Sequence, residues 1–147
     1  MAALCLLIGW GAAVTARPQI FVPDPVSGYA LGGHDPVAYF VDGYPRKGRR
    51  DYVASWGGAD WIFVNEGNKA AFEGAPQTYA PLFAGCGAYG LAEGFAAAGS
   101  PLIFAFVEGQ LVFFYSRVNR FLFLINAGQL REDADGNARI TGCVPDL

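Results

Sequence analysis

Few side chains in this sequence can do chemistry. Its 147 residues hold one histidine, His34, one methionine, Met1, and three cysteines, Cys5, Cys86 and Cys143. A soft-metal site asks for thiolate or imidazole ligands, so it would draw on His34, Cys86 and Cys143. A Cys86–His34 nucleophile and base is a second possibility in principle. Nothing in the sequence marks the third orienting group or the oxyanion donor that such a pair needs. The two later cysteines can instead pair with each other, as an even number in an exported chain suggests. Closing the loop of 57 positions from Cys86 to Cys143 would stabilise the fold by about 4 kcal/mol on chain entropy. Tyr39, Tyr79 and Tyr89, with His34, Asp35 and Cys86, form the candidate ligand pocket around a glycine-rich stretch. Each has a plainer reading: His34 bonded to nearby backbone, Asp35 capping a turn that Pro36 opens, and the tyrosines in the core.

The elements that must position these groups centre on Trp56–Phe72, W-G-G-A-D-W-I-F-V-N-E-G-N-K-A-A-F. Trp61 and Phe63 alternate with Asp60 and Ile62, as a half-buried strand requires. Gly57-Gly58 supplies the positive φ of a tight hairpin turn. Asn65 is placed to cap a helix running through Ala70, Ala71 and Phe72, with Gly74 and Pro76 ending it. The pattern returns at a constant offset of 51 positions, so that Gly58, Phe63, Asn65, Asn68 and Phe72 fall on Gly109, Phe114, Ser116, Asn119 and Phe123. The expectation is an α+β fold of two β-β-α units, forming a small antiparallel sheet with packed helices. Tyr52–Asn65 and Ile103–Ser116 should be equivalent hairpins. Trp56, Trp61, Phe63, Phe72, Phe114 and Phe123 should be core. Leu82–Gly94, broken by four glycines, reads as a loop of close backbone approach. Beyond Gly128 the chain reads as a polar tail. Asp133, Asp135 and Asn137 there look superficially like a calcium loop, but the glycine is one place early and no acid closes the pattern. A turn is expected instead.

Residues 1–16 carry no charge and end in V-T-A, the form of a secretory signal cut before Arg17. That run is too short to span a bilayer, which takes roughly 20 apolar residues. It would take Cys5 with it and leave residues 17–147 as one exported domain. The net charge of −3 argues against nucleic acid, whose binding rewards clustered positive charge. Arg46-Lys47-Gly48-Arg49-Arg50 is the one basic cluster and reads as a solvated loop, with an anionic partner as the alternative.

G-G-H-D-P-V-A-Y-F at Gly32–Phe40, Y-x-x-x-W-G-G, W-x-F, N-K-A-A-F, P-x-x-Y-A-P and G-A-Y-G together resemble the longer exported members of the YHS-domain family. The resemblance covers roughly Tyr29–Tyr115 and implies a single-domain periplasmic or secreted protein. The short members handle transition metals, copper above all, through cysteines. Here Ser27, Val64 and Asn68 stand at positions of those cysteines. Gly87 holds the place of a cysteine common in the long members, with Cys86 one residue early. Valine ligates no metal, and serine and asparagine suit soft ions poorly. The reading is therefore an exported YHS-like binding or accessory module, non-enzymatic, without the cysteine metal site and without a cofactor. Its partner would be a small ligand or another periplasmic protein. The alternatives are a copper or other transition-metal protein using His34 and Cys86, and a small Cys86-dependent enzyme.

Overall fold

In the computed structural model the described residues are Phe21 and 24–143; the expected leader at 1–16 lies outside them. Aromatic alternation and glycine turns give two antiparallel hairpins, β1 (Arg49–Trp56) with β2 (Ala59–Phe63) and β3 (Ser100–Val107) with β4 (Gln110–Phe114). Each is followed by a helix, α2 (Glu66–Gly74) or α5 (Arg117–Leu124). Asn65 Oδ1 accepts from Asn68 N at 2.8 Å and Ser116 Oγ from Asn119 N at 3.1 Å, so both cap as expected. The fold is thus α+β. Among the described residues the strands pair with one another only within their own hairpins, making two two-stranded ribbons, and Phe113 of β4 adds an isolated parallel bridge to Gly87.

Every strand boundary of the second unit, and the start of its helix, is that of the first shifted by 51 positions; α5 ends one residue short of that register. The irregularity in register also matches, falling at Arg49/Val53 and at Ser100/Phe104. The correspondence reaches further back with an offset of 52. In both units a turn in left-handed backbone precedes the hairpin: Leu31, Gly32 and Gly33 in one, Phe83, Ala84 and Gly85 in the other. His34 bridges to Lys47 as Cys86 does to Ala98. Asp35 N donates to Arg46 O as Gly87 N does to Ala97 O. A short helix follows each turn, α1 (Ala38–Val41) and, after the intervening α3 (Pro76–Tyr79), α4 (Ala88–Ala92).

Each unit has its own core. Trp61, Phe63 and Phe72 are fully buried in the first, with half-buried Trp56 against Trp61 and Phe72. Phe114 and Phe123 are fully buried in the second, their rings 5.4 Å apart. A third cluster of Tyr39, Leu111 and Phe113 joins the units.

Two stretches differ from expectation. Leu82–Gly94 is more than a loop, since it contains the left-handed turn and α4. The close approach is nonetheless present: a Cβ on Gly90 would lie 3.1 Å from the Phe95 ring. The polar tail is a 15-residue helix, α6 (Ala127–Thr141), ended by left-handed Gly142. Ala127, Leu130, Ala134 and Ala138 form its apolar stripe, with Ala134 and Ala138 fully buried, and it packs on α4. Asp133 and Asp135 accept from Gln129 and Arg131 one turn earlier, so the expected turn at 133–137 is helix surface.

Candidate functional site

The two left-handed turns face a cleft of about 690 Å3 between the units. Leu31, Gly32 and His34 line it from the first unit; Ala84, Gly85 and Cys86 line it from the second. Its further wall is mostly apolar, from Ala96, Ala97, Ala98, Pro101, Leu102 and Phe113. Volume and lining suit a small molecule held by a few polar groups.

His34 is the principal polar group there, 9% exposed. Its Nδ1 lies 2.8 Å from the Leu31 carbonyl oxygen. A carbonyl can only accept, so Nδ1 carries the proton and the neutral ring keeps its lone pair at Nε2. Burial holds the imidazole below its ordinary value of 6.5; the Leu31 bond opposes that shift and the Lys47 charge adds to it. Among the described residues Nε2 has no hydrogen-bond partner. Lys47 bridges to His34 through the backbone and also lines the cleft, with Nζ donating to Gly32 O at 2.6 Å and two further protons to offer. Ser27 and Asp24 close one end; Asp24 accepts from Ser27 N at 2.7 Å, and hydrogen bonds from Ser27 lower its pKa.

Asp35 lies beneath the cleft rather than in it. It is wholly buried, and four donors meet its carboxylate. Val37 N and Ala38 N reach Oδ1 at 2.8 and 3.3 Å; Val64 N and Asn68 Nδ2 reach Oδ2 at 2.8 and 2.7 Å. It is the expected turn cap and also the pin joining α1 to the β2–α2 junction. The second unit has Gly87 in its place, where a Cβ would come within 3.2 Å of Tyr115 N. There Asn119 turns to Ser116 instead.

The tyrosines do not line the cleft. Tyr39 is fully buried, packs on Phe104 at 4.9 Å and Phe113 at 5.5 Å, and donates its hydroxyl to Pro101 O at 2.9 Å. Burial, with the Asp35 charge second, pushes that hydroxyl above its usual range, so it stays a neutral donor. Tyr79 sits edge-on to Phe40 at 5.2 Å, and Tyr89 packs against the second unit's core.

Cys86 is bonded to Cys143, with Cα atoms 6.2 Å apart, inside the usual span. In this form neither sulfur is a thiolate. Of the metal ligands the resemblance puts in question, Ser27 lines the cleft, while Val64 and Asn68 serve Asp35. Among the described residues no group of three or more His, Cys, Asp or Glu converges to hold a metal ion. The sequence did not single out Lys47 for the cleft, because the basic run around it reads as solvated loop. Asn68, read as part of a helix, gave no sign of its bond to Asp35. A comparison of the chain with protein-family models, curated proteins and solved structures finds no match.

Proposed function

We propose that this is an exported, disulfide-stapled binding module of YHS-like type that takes a small, mainly apolar ligand in the cleft between its two units. The observation that carries the reading is the fixed tautomer of His34, which leaves the Nε2 lone pair free in a mainly apolar cleft that Lys47, Asp24 and Ser27 also line. A ligand would donate a hydrogen bond to Nε2, and an acidic or carbonyl group on it would lie against Lys47. The module is non-enzymatic on this reading, since a nucleophilic Cys86 or a copper site on His34 and Cys86 would each require the disulfide to open. Export agrees with a crosslink of this kind.

The test uses 1-anilinonaphthalene-8-sulfonate, an apolar anion, as probe. Ala98→Phe, which fills the cleft, should abolish its fluorescence gain, and His34→Gln should weaken binding several-fold. Probe binding untouched by Ala98→Phe refutes the cleft. Export is tested separately: N-terminal sequencing of protein recovered from an exporting bacterial host should begin at Arg17.

A further inference from the structure

Helix α5 carries an apolar stripe that its own fold does not require. Val118, Phe121 and Ile125 are 66%, 63% and 66% exposed. At 100° per residue they fall within about 60° of one another, facing away from the buried Phe123. Tyr115, just before the helix, is 69% exposed as well.

The first unit supplies the control. Shifting by 51 positions puts Gly67, Ala70 and Gly74 of α2 where α5 has Val118, Phe121 and its C-cap, Ile125. Both helices are capped by a side chain at the equivalent position, Asn65 or Ser116, match in length within one residue and bury an equivalent phenylalanine, Phe72 or Phe123. Only α5 offers bulky side chains to water, so the stripe is not a demand of packing.

Charge identifies what meets it. On the helical wheel Arg117 lies about 40° from Phe121 at the edge of the stripe, and Arg120 lies about 60° further round the same flank. Among the described residues neither makes a salt bridge, and α5 has no acidic residue. The matching helix α2 has Lys69 in ion pairs with Glu66 and with Glu73, each at 4.0 Å. Two guanidinium groups without ion pairs on one flank of an apolar ridge, a local positive charge on a chain whose net charge is −3, match a surface that is anionic and yields to shallow insertion. A second copy of the chain fits less well. Eight residues make a helix about 12 Å long, far short of the roughly 800 Å2 per partner of a stable dimer.

We infer that α5 docks this protein on an anionic phospholipid bilayer, with Val118, Phe121 and Ile125 entering the headgroup boundary and Arg117 and Arg120 held by lipid phosphates. This inference is independent of the ligand cleft.

The test is co-sedimentation of the full chain with vesicles of phosphatidylcholine alone or in equal parts with phosphatidylglycerol. Binding is expected to the mixed vesicles and to fall with salt. Arg117→Gln with Arg120→Gln should lower partitioning about 30-fold, at roughly fivefold per cation. Val118→Ala, Phe121→Ala and Ile125→Ala together should lower it at least about tenfold, with helix content and the disulfide unchanged. Four results would overturn the inference: no binding, equal binding to both vesicles, binding that survives the triple alanine variant, or a wild-type dimer that this variant abolishes. Vesicle binding that survives the variant would point to residues 1–16 as the membrane-active segment, and a lost dimer to a second copy as the occupant.

Discussion

Asp35 offers the sharpest stability test. Replacing it by alanine leaves Val37 N, Ala38 N, Val64 N and Asn68 Nδ2 without their common acceptor. A hydrogen bond to a charged acceptor contributes about 1.5–3 kcal/mol, and the two to Val64 and Asn68 span 29 and 33 positions. Loss of the turn cap costs about 1 kcal/mol. Relaxation and water entry recover part of the total, so the expected loss is about 4 kcal/mol, a large share of a domain's usual 5–15. Asp35→Asn keeps one acceptor oxygen and should lose about half as much. The assay is urea unfolding followed by the fluorescence of Trp56 and Trp61, which pack in the same unit. A cycle with Asn68→Ala should show a coupling of at least about 1 kcal/mol. A loss below about 1 kcal/mol for Asp35→Ala, or strictly additive losses in the cycle, would refute the pin.

Phe72→Ala and Phe123→Ala should each cost about 3–5 kcal/mol, measured in the same way; a cost under about 1 at both would mean that these rings are not core. Gly48→Ala and Gly99→Ala, equivalent positions, would put a Cβ 2.5 Å from the Ile62 backbone and 2.5 Å from Phe113 Cβ, and each should cost about 1–3 kcal/mol. Urea midpoints that do not move in either variant would contradict that crowding. His34 makes stability depend on pH. The unfolded imidazole protonates near 6.5 and the folded one below it, so between the two values the unfolded state binds more protons and stability falls as pH drops. Relative to His34→Gln, the wild type should lose stability from pH 7 towards pH 5, and parallel pH profiles would count against the buried neutral ring.

The hairpins were legible because alternation, Gly-Gly and a capping residue all say the same thing locally, twice. The turns at Leu31–Gly33 and Phe83–Gly85 were not seen as equivalent. L-G-G and F-A-G share one glycine, and their offset is 52, one step out of the hairpins' register. Phe83 and Ala84 take up left-handed backbone that non-glycine side chains resist by about 1–2 kcal/mol each, which no propensity rule anticipates. Helix α6 was hidden because its apolar face is mostly alanine and its middle reads D-A-D-G-N. Its packing partner α4 lies in a stretch whose four glycines read as loop, so the contact that decides the matter has no side visible in the sequence. Of the candidate site, His34 and Cys86 both line the cleft. The tyrosines were not separable from core by spacing alone, and Tyr39 shows why: one hydroxyl bond to Pro101 makes a polar residue buriable.

The register irregularity shared by the two hairpins bears on how the protein behaves when crowded. Each strand has a single strand partner, which leaves main-chain edges that could template pairing between molecules. In β1 the irregular segment carries exposed Arg49, Arg50 and Asp51; in β3 it carries Pro101, which has no N–H to give. A bulge there twists the edge away from a straight neighbour, and charge or proline blocks the same positions. The two ribbons thus guard the same place against edge-to-edge pairing by different side-chain means, in a chain with 53% apolar residues.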